Sequence, residues 1–179
     1  MAPPHSAAAS TIRIRPATPD DAPIIASHRA NMFRDMGQLT PEVYDALLAV
    51  TERRLREALA SGEYVGWLAL NPDSSAVIGG AGAQRRLAFP HPQRLDDGAV
   101  GIGEGRHAIV LNVYTDRAWR RRGVAEALMG AVVRWAREER LDRLVLHASE
   151  EGRPLYQRLG FAATNEMRFQ GPLGGGRRP

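Results

Sequence analysis

The sequence predicts one α/β domain, with helices on both faces of a mixed sheet. The elements run in the order strand, two helices, three strands, helix, strand, helix, strand, and such alternation is typical of this class. Residues 107–114 (HAIVLNVY) are almost continuously apolar, as expected of a strand covered on both faces. An amphipathic helix and a buried strand at 144–146 follow, which predicts a right-handed parallel crossover. The length of 179 residues suits one domain.

The chain is expected to begin its structure with a strand and a helix. Residues 11–15 alternate apolar and polar side chains, which indicates a half-exposed strand. Thr18 and Asp21 resemble a capping box, so a helix should begin there. It should run to about Met36, where Gly37 ends it. The side chains that this helix is expected to bury are Ile25, Met32 and Met36.

A second helix and a β-hairpin are predicted next. Thr40-Pro41 is typical of a helix start, and Gly62 of a helix end. Residues 63–70 and 76–87 are two strands joined by the turn signal Asn-Pro-Asp-Ser. Glycines inside the second strand indicate a bulge or a close backbone approach, and they are Gly79, Gly80 and Gly82.

The second half of the chain is predicted to hold a long loop at 88–105, the helix from 124 to about 140, and a short helix at 150–159. One or two final short strands are expected at 161–169. The Pro/Ala-rich start and the Gly-rich end have little to bury. The expected organisation is a flexible arm at 1–10, the domain at 11–170 and a flexible Gly/Arg tail at 171–179.

Composition excludes several kinds of chemistry. The chain has no cysteine, which excludes disulfides, thiolate metal sites and a cysteine nucleophile. All 24 basic residues are arginine, so a lysine Schiff base or lysine general base is excluded too. No apolar run approaches the ~20 residues that span a bilayer. We expect a cytoplasmic protein with no membrane partner and no bound metal.

The junction at 115–125 (TDRAWRRRGVA) carries the strongest chemical signal. A helix that begins near Gly123 has free amide hydrogens and a positive dipole end, and both attract anions. Gly123 lets a phosphate approach the backbone closely, while Arg120–Arg122 add positive charge. The alternative is a solvated helix start. A nucleic-acid interface would interleave basic and aromatic residues on an open face, and it is not expected here.

Two motifs resemble those of one family. Arg120-x-x-Gly123-x-Ala125, between an apolar strand and an amphipathic helix, resembles the Gln/Arg-x-x-Gly-x-Gly/Ala signature of the GNAT superfamily of N-acyltransferases. Leu155-Tyr156-x-x-Leu159-Gly160-Phe161 resembles the second landmark of that family. The resemblance covers about residues 11–170. It implies a mostly antiparallel mixed sheet, whose central parallel pair is splayed to admit the acetyl-CoA cosubstrate.

The resemblance also implies which residues bind the cosubstrate. The strand end would pair with the pantetheine arm, and the loop and helix start would hold the phosphates. Ser149 stands where many relatives have Asn; its hydroxyl would hydrogen-bond the pantetheine arm, with a shorter reach than an Asn side chain. Arg153 would lie on the same side. The complete set implied is Leu111, Asn112, Val113, Arg120, Arg121, Arg122, Gly123, Val124, Ala125, Ser149, Arg153 and Tyr156.

Transfer of an acetyl group requires proton movements. Tyr156 matches the family's acid, which protonates the leaving thiolate; packing against Phe161 is the alternative role. The amide near Val113 would stabilise the oxyanion. Glu104 is the candidate base, although a Glu in a Gly-rich loop is often simply solvated, and His107 at the strand start is the other candidate.

The acceptor is expected over the first two helices and the loop at 88–105. Arg29 and Phe33 are the candidate contacts, and an Arg there would favour an anionic group. Asn112 either satisfies a neighbouring group or contacts the acceptor. The predicted function is acetyl transfer from acetyl-CoA to a primary amine of a small molecule or peptide, by direct attack in a ternary complex. The alternative is a catalytically silent CoA-binding sensor. Homodimers are common in this family.

Overall fold

A computed structural model of the chain describes residues 12–95 and 97–167. The chain divides into two compact units, Met1–Leu146 and His147–Pro179. The predicted arm at 1–10 and tail at 171–179 lie outside the described residues. Within the described ranges, every helix is too short or too polar to cross a membrane.

The first unit is built on a five-stranded sheet with the order β1-β2-β3-β6-β7. Neighbouring strands are antiparallel except β6 and β7, which are parallel. This confirms the mixed, mostly antiparallel sheet with one parallel pair. Among the described residues that pair forms one edge of the sheet, whereas the resemblance implied a central pair. The strands are β1 (Arg13–Pro16), β2 (Tyr64–Leu70), β3 (Val77–Leu87), β4 (His91–Arg94), β5 (Val100–Gly103), β6 (Arg106–Thr115) and β7 (Arg143–Leu146).

Helices cover both faces of this sheet, as predicted. Leu68 of β2 is buried in the cluster formed with the first two helices, whereas the adjacent Trp67 meets Trp135 of the third at 5.5 Å between ring centroids. Adjacent side chains of a strand point to opposite faces, so these helices lie on opposite sides. The helices are α1 (Ala22–Asp35), α2 (Pro41–Ser61), α3 (Val124–Glu138) and, in the second unit, α4 (Arg153–Arg158).

Three expectations about local structure are wrong. Met36 is 39% exposed, because the helix ends before it and the chain turns at Gly37 with φ +67°. The segment at 88–105 is not a plain loop, since β4 and β5 pair there as a separate antiparallel hairpin. Residues 161–167 form no strand, and the remaining predicted strand residues, 168 and 169, lie outside the described ranges.

A β-bulge interrupts the pairing of β3 with β6. Gly82 lies opposite Leu111, but Gly80 lies opposite Tyr114, so β6 holds one residue more than β3 between these pairs. Asn112 occupies the bulge with φ +58°, a left-handed conformation that is rare outside glycine. The irregularity predicted from the glycines of β3 is thus confirmed, and the bulge places Asn112 and Val113 in the C-terminal half of β6, beyond the residues that pair with β7.

Candidate functional site

The start of α3 presents unpaired backbone donors. Its first helical hydrogen bond runs from the Ala127 N–H to the Gly123 carbonyl at 3.0 Å. In the described ranges, the N–H groups of Gly123 to Glu126 have no acceptor, and no side chain caps them. Gly123 has φ +80°, and a Cβ built on it would meet no other described residue within 4 Å, its chain neighbours aside. This helix end is therefore open and positively polarised.

The arginines before α3 fall into two groups. Arg120 pairs with Asp35 at the end of α1 and donates through Nε to the Thr115 carbonyl at 3.2 Å; Arg117 also pairs with Asp35, at 2.6 Å. These bonds, chiefly the one from Arg117, hold the pKa of Asp35 below its usual value.

The second group is Arg121 and Arg122, which are exposed and form no ion pair within the described ranges. Arg121 has φ +63°, and the Arg122 guanidinium lies 5.2 Å from the centroid of the Trp119 ring. Their uncompensated charge adds to that of the helix end. Side-chain charge for an anion thus comes from these two residues, whereas the Arg120 side chain is engaged with Asp35.

The parallel strand pair opens beside the bulge. Pairing of β6 with β7 ends at Val110 and Leu146, whereas β6 continues for five more residues to Thr115. In the first unit as described, this edge of residues 111–115 has no strand partner. Leu111, Asn112 and Val113, which the sequence analysis singled out, therefore lie where backbone groups of β6 are available to a bound chain.

A polar network surrounds the bulge on the α1 face. Asn112 is 5% exposed; its Oδ1 accepts from Arg29 at 2.7 Å, and its Nδ2 donates to the Tyr64 hydroxyl at 3.0 Å. A guanidinium can only donate, so these contacts fix the orientation of the amide. Arg29 also lies 4.8 Å from the centre of the Phe33 ring. The structure thus brings together Arg29, Phe33 and Asn112, the three residues proposed for the acceptor.

Tyr64 is a member of this network that the sequence analysis missed. Burial raises its pKa to about 12, so its hydroxyl is neutral at ordinary pH. A Cβ at Gly82 would stand 1.9 Å from that hydroxyl, which explains the glycine. The sequence analysis also did not identify Asp35 as the partner of Arg117 and Arg120, because no local sequence pattern indicates that pairing.

The two candidate bases lie away from the bulge. Glu104 is 73% exposed and pairs with Arg106 at 3.2 Å, at the start of β6. That position lies six residues before Asn112 along the strand, a distance of about 20 Å. His107 stacks edge-on against His91 in the same region. Neither side chain is brought together with the acceptor residues.

The second unit contains the remaining predicted residues. Tyr156 lies in α4, where burial raises its pKa, and its ring meets Phe161 edge-on at 6.1 Å. The Ser149 hydroxyl accepts from the Gly152 N–H at 3.2 Å. Arg153 is exposed at the first position of α4. The packing of Tyr156 against Phe161 is therefore observed. Within the described residues, the Tyr156 hydroxyl forms no hydrogen bond, and burial is the one cause of its raised pKa.

Both a family model and a solved structure identify this chain as similar to acetyltransferases. The model of the acetyltransferase (GNAT) family matches residues 26–161. A GCN5-related N-acetyltransferase from Ralstonia eutropha JMP134 is 31% identical with a TM-score of 0.77, over 92% of this chain and 100% of that one. A search of curated proteins gives no significant match.

Two further structures share the fold. A predicted acetyltransferase from Clostridium acetobutylicum, crystallised with acetyl-CoA, is 24% identical with a TM-score of 0.72, over 90% of this chain and 96% of that one. Glucosamine-6-phosphate N-acetyltransferase from Arabidopsis thaliana is 15% identical with a TM-score of 0.61, over 89% and 97%.

Proposed function

Because the chain belongs to the GNAT family of acetyltransferases, we propose that it transfers an acetyl group from acetyl-CoA to a primary amine of a small molecule or peptide. The amine attacks the thioester directly while both substrates are bound. The observation that carries the proposal is the open start of α3, where, in the part of the chain that the structure describes, the first N–H groups have no acceptor and Arg121 and Arg122 form no ion pair.

The residues at this helix start fit the cosubstrate. A pyrophosphate needs several convergent N–H donors, positive charge and room for close approach. Gly123 supplies the room, and Arg121 and Arg122 supply the charge. The edge of β6 at residues 111–115, which has no strand partner in the described part of the first unit, would hold the amide groups of the pantetheine arm. Ser149 and Arg153 are further proposed contacts, based on the family motif.

Acetyl-CoA supplies an activated acetyl thioester, and the protein supplies donors and a proton. We assign the Val113 N–H, beside the bulge, to the oxygen that becomes negatively charged as the amine attacks. As the C–N bond forms and the C–S bond breaks, we assign the Tyr156 hydroxyl as the acid that protonates the leaving thiolate, and the proton that the amine loses restores the phenol. Its raised pKa keeps the phenol protonated across the ordinary pH range. The assignment of Tyr156 is supported by the family motif at 155–161.

The test combines binding with turnover. Acetyl-CoA should raise the melting temperature, whereas an oligonucleotide of equal charge should not. Free CoA thiol should then appear when a panel of primary amines is added. Binding without thiol release from any amine would favour the CoA-binding sensor instead, and absence of acetyl-CoA binding would contradict both.

A further inference from the structure

The arginines of the first unit differ in how their charge is balanced. Several partly or fully exposed arginines form an ion pair with a carboxylate, with N···O distances of 2.8 Å or less. They include Arg15, Arg54, Arg85 and Arg117. Arg29 is half-buried in α1, yet no ion pair of residues 12–95 and 97–167 includes it. Its one hydrogen bond is to the neutral amide of Asn112. Buried charges are normally paired, so this guanidinium stands out.

The geometry leaves Arg29 able to bind another group. Of its five N–H donors, one is used by Asn112, and the others have no acceptor in the described ranges. The guanidinium carbon lies over the Phe33 ring at 4.8 Å from its centroid, a cation–π contact that stabilises the side chain in this place. Burial lowers the pKa of Arg29, yet an arginine remains charged at any ordinary pH.

The position of Arg29 relates it to the reaction. Its partner Asn112 directly precedes Val113, whose N–H we assign to the developing oxyanion. The phosphate-binding loop contacts α1 at a different place, where Arg120 donates to Asp35. Asp35 lies six residues after Arg29, which is about 9 Å along the helix axis. Arg29 therefore faces the bulge and not the loop at Arg120–Ala125.

We infer that Arg29 binds a carboxylate carried by the acceptor, so that the protein selects primary amines that also bear a nearby carboxylate. This inference rests on the proposed function. A single planar fork matches one carboxylate, with two parallel N–H···O bonds. Asn112 acts as a positioning residue, since it holds one end of the guanidinium.

The experiment uses the full chain and pairs of acceptors that differ in one group. Glycine, β-alanine and 4-aminobutyrate are each compared with the corresponding carboxamide, by kcat/KM from CoA release. The wild-type protein should prefer at least one acid over its amide by roughly ten- to hundred-fold, the value of hydrogen bonds to a charged group. Equal or better use of every carboxamide would overturn the inference.

Variants separate recognition from folding. Arg29→Gln should lower kcat/KM for the preferred acid by roughly ten- to hundred-fold, with little change for its carboxamide or for acetyl-CoA affinity. Arg53→Gln, which removes an exposed charge from α2, should change neither. An unchanged ratio of acid to amide in Arg29→Gln would contradict the assignment. If Arg29→Gln misfolds, Arg29→Lys is used in its place. The ratio of kcat/KM for the acid to that for the carboxamide should fall in this variant too, because lysine lacks the planar guanidinium that binds both carboxylate oxygens.

A binding measurement keeps this inference distinct from the proposed function. N-acetyl-β-alanine and its carboxamide are titrated into the protein in the presence of CoA, without any turnover. Binding of the acid alone, lost in Arg29→Gln, would support carboxylate recognition even if no amine were acetylated. Equal binding of both compounds would overturn it, whatever the activity of the enzyme.

Discussion

Substitution of Gly123 by alanine tests the phosphate-binding role of the α3 start against a matched control. Gly123 has φ +80°, and, apart from its own atoms and its chain neighbours, no atom of residues 12–95 and 97–167 lies within 4 Å of the position of a Cβ. The only cost to the free protein is then the left-handed backbone, about 1–2 kcal/mol. For a chain of this size, about 2–8 °C of melting temperature should be lost.

Gly62, at the end of α2, provides the control. It has φ +74° and the same open surroundings, so Gly62→Ala should lose a similar melting temperature. Only Gly123→Ala would place a methyl group where the pyrophosphate approaches the backbone. Losing one charge-assisted bond there should weaken acetyl-CoA binding roughly ten- to hundred-fold, measured by calorimetry. If both variants bound acetyl-CoA with affinities within about twofold, the phosphate-site argument would be refuted.

Three further outcomes are expected. Tyr156→Phe should lower kcat about 100-fold or more while acetyl-CoA affinity stays nearly constant, and an unchanged kcat would exclude Tyr156 as the acid. Tyr64→Phe leaves the buried Asn112 amide without its acceptor, so thermal unfolding should show a loss of about 1–3 kcal/mol. Burial raises the pKa of Tyr64 to about 12, above its value in the unfolded chain. The folding stability linked to the protonated Tyr64 hydroxyl is therefore complete below about pH 10 and decreases as the pH rises towards 12. In Tyr64→Phe this decrease in stability should be absent. The hydrogen bond from Arg15 lowers the pKa of Asp21 to about 2. The contribution of the Asp21 carboxylate to folding stability is therefore present above about pH 4 and is lost as the pH falls towards 2. Asp21→Asn should weaken the dependence of stability on pH between these values, and an unchanged dependence would contradict the pairing.

Sequence patterns predicted those parts of the molecule that are determined locally. The helix start at Gly123 follows from a glycine, an arginine run and an apolar period within a dozen residues, and α3 begins where predicted. Thr40 and Gly62 bound α2 for similarly local reasons. The bulge could be expected near the glycines of β3, although its position at Asn112 depends on pairing with a distant strand.

Contacts between distant residues could not be predicted in this way. Asp35 and Arg120 are 85 residues apart, and Tyr64 and Asn112 are 48 apart. The hairpin of β4 and β5 was missed for another reason. Its apolar residues Val100 and Ile102 are 71% and 80% exposed, so burial imposes no alternating pattern on that segment.

The helix α1 contacts both parts of the candidate site in the first unit. Through Asp35 it pairs with Arg117 and Arg120 of the loop before α3, and through Arg29 it contacts the bulge of β6. Ala26 and Ala30 are fully buried, so α1 packs closely against the rest of the first unit near these contacts. The same helix thus contacts both the phosphate loop and the bulge, and it carries the acceptor guanidinium. A shift of α1 would therefore affect both cosubstrate binding and acceptor selection. When Asp35 or Arg29 is substituted, acetyl-CoA affinity and acceptor preference must therefore be measured separately.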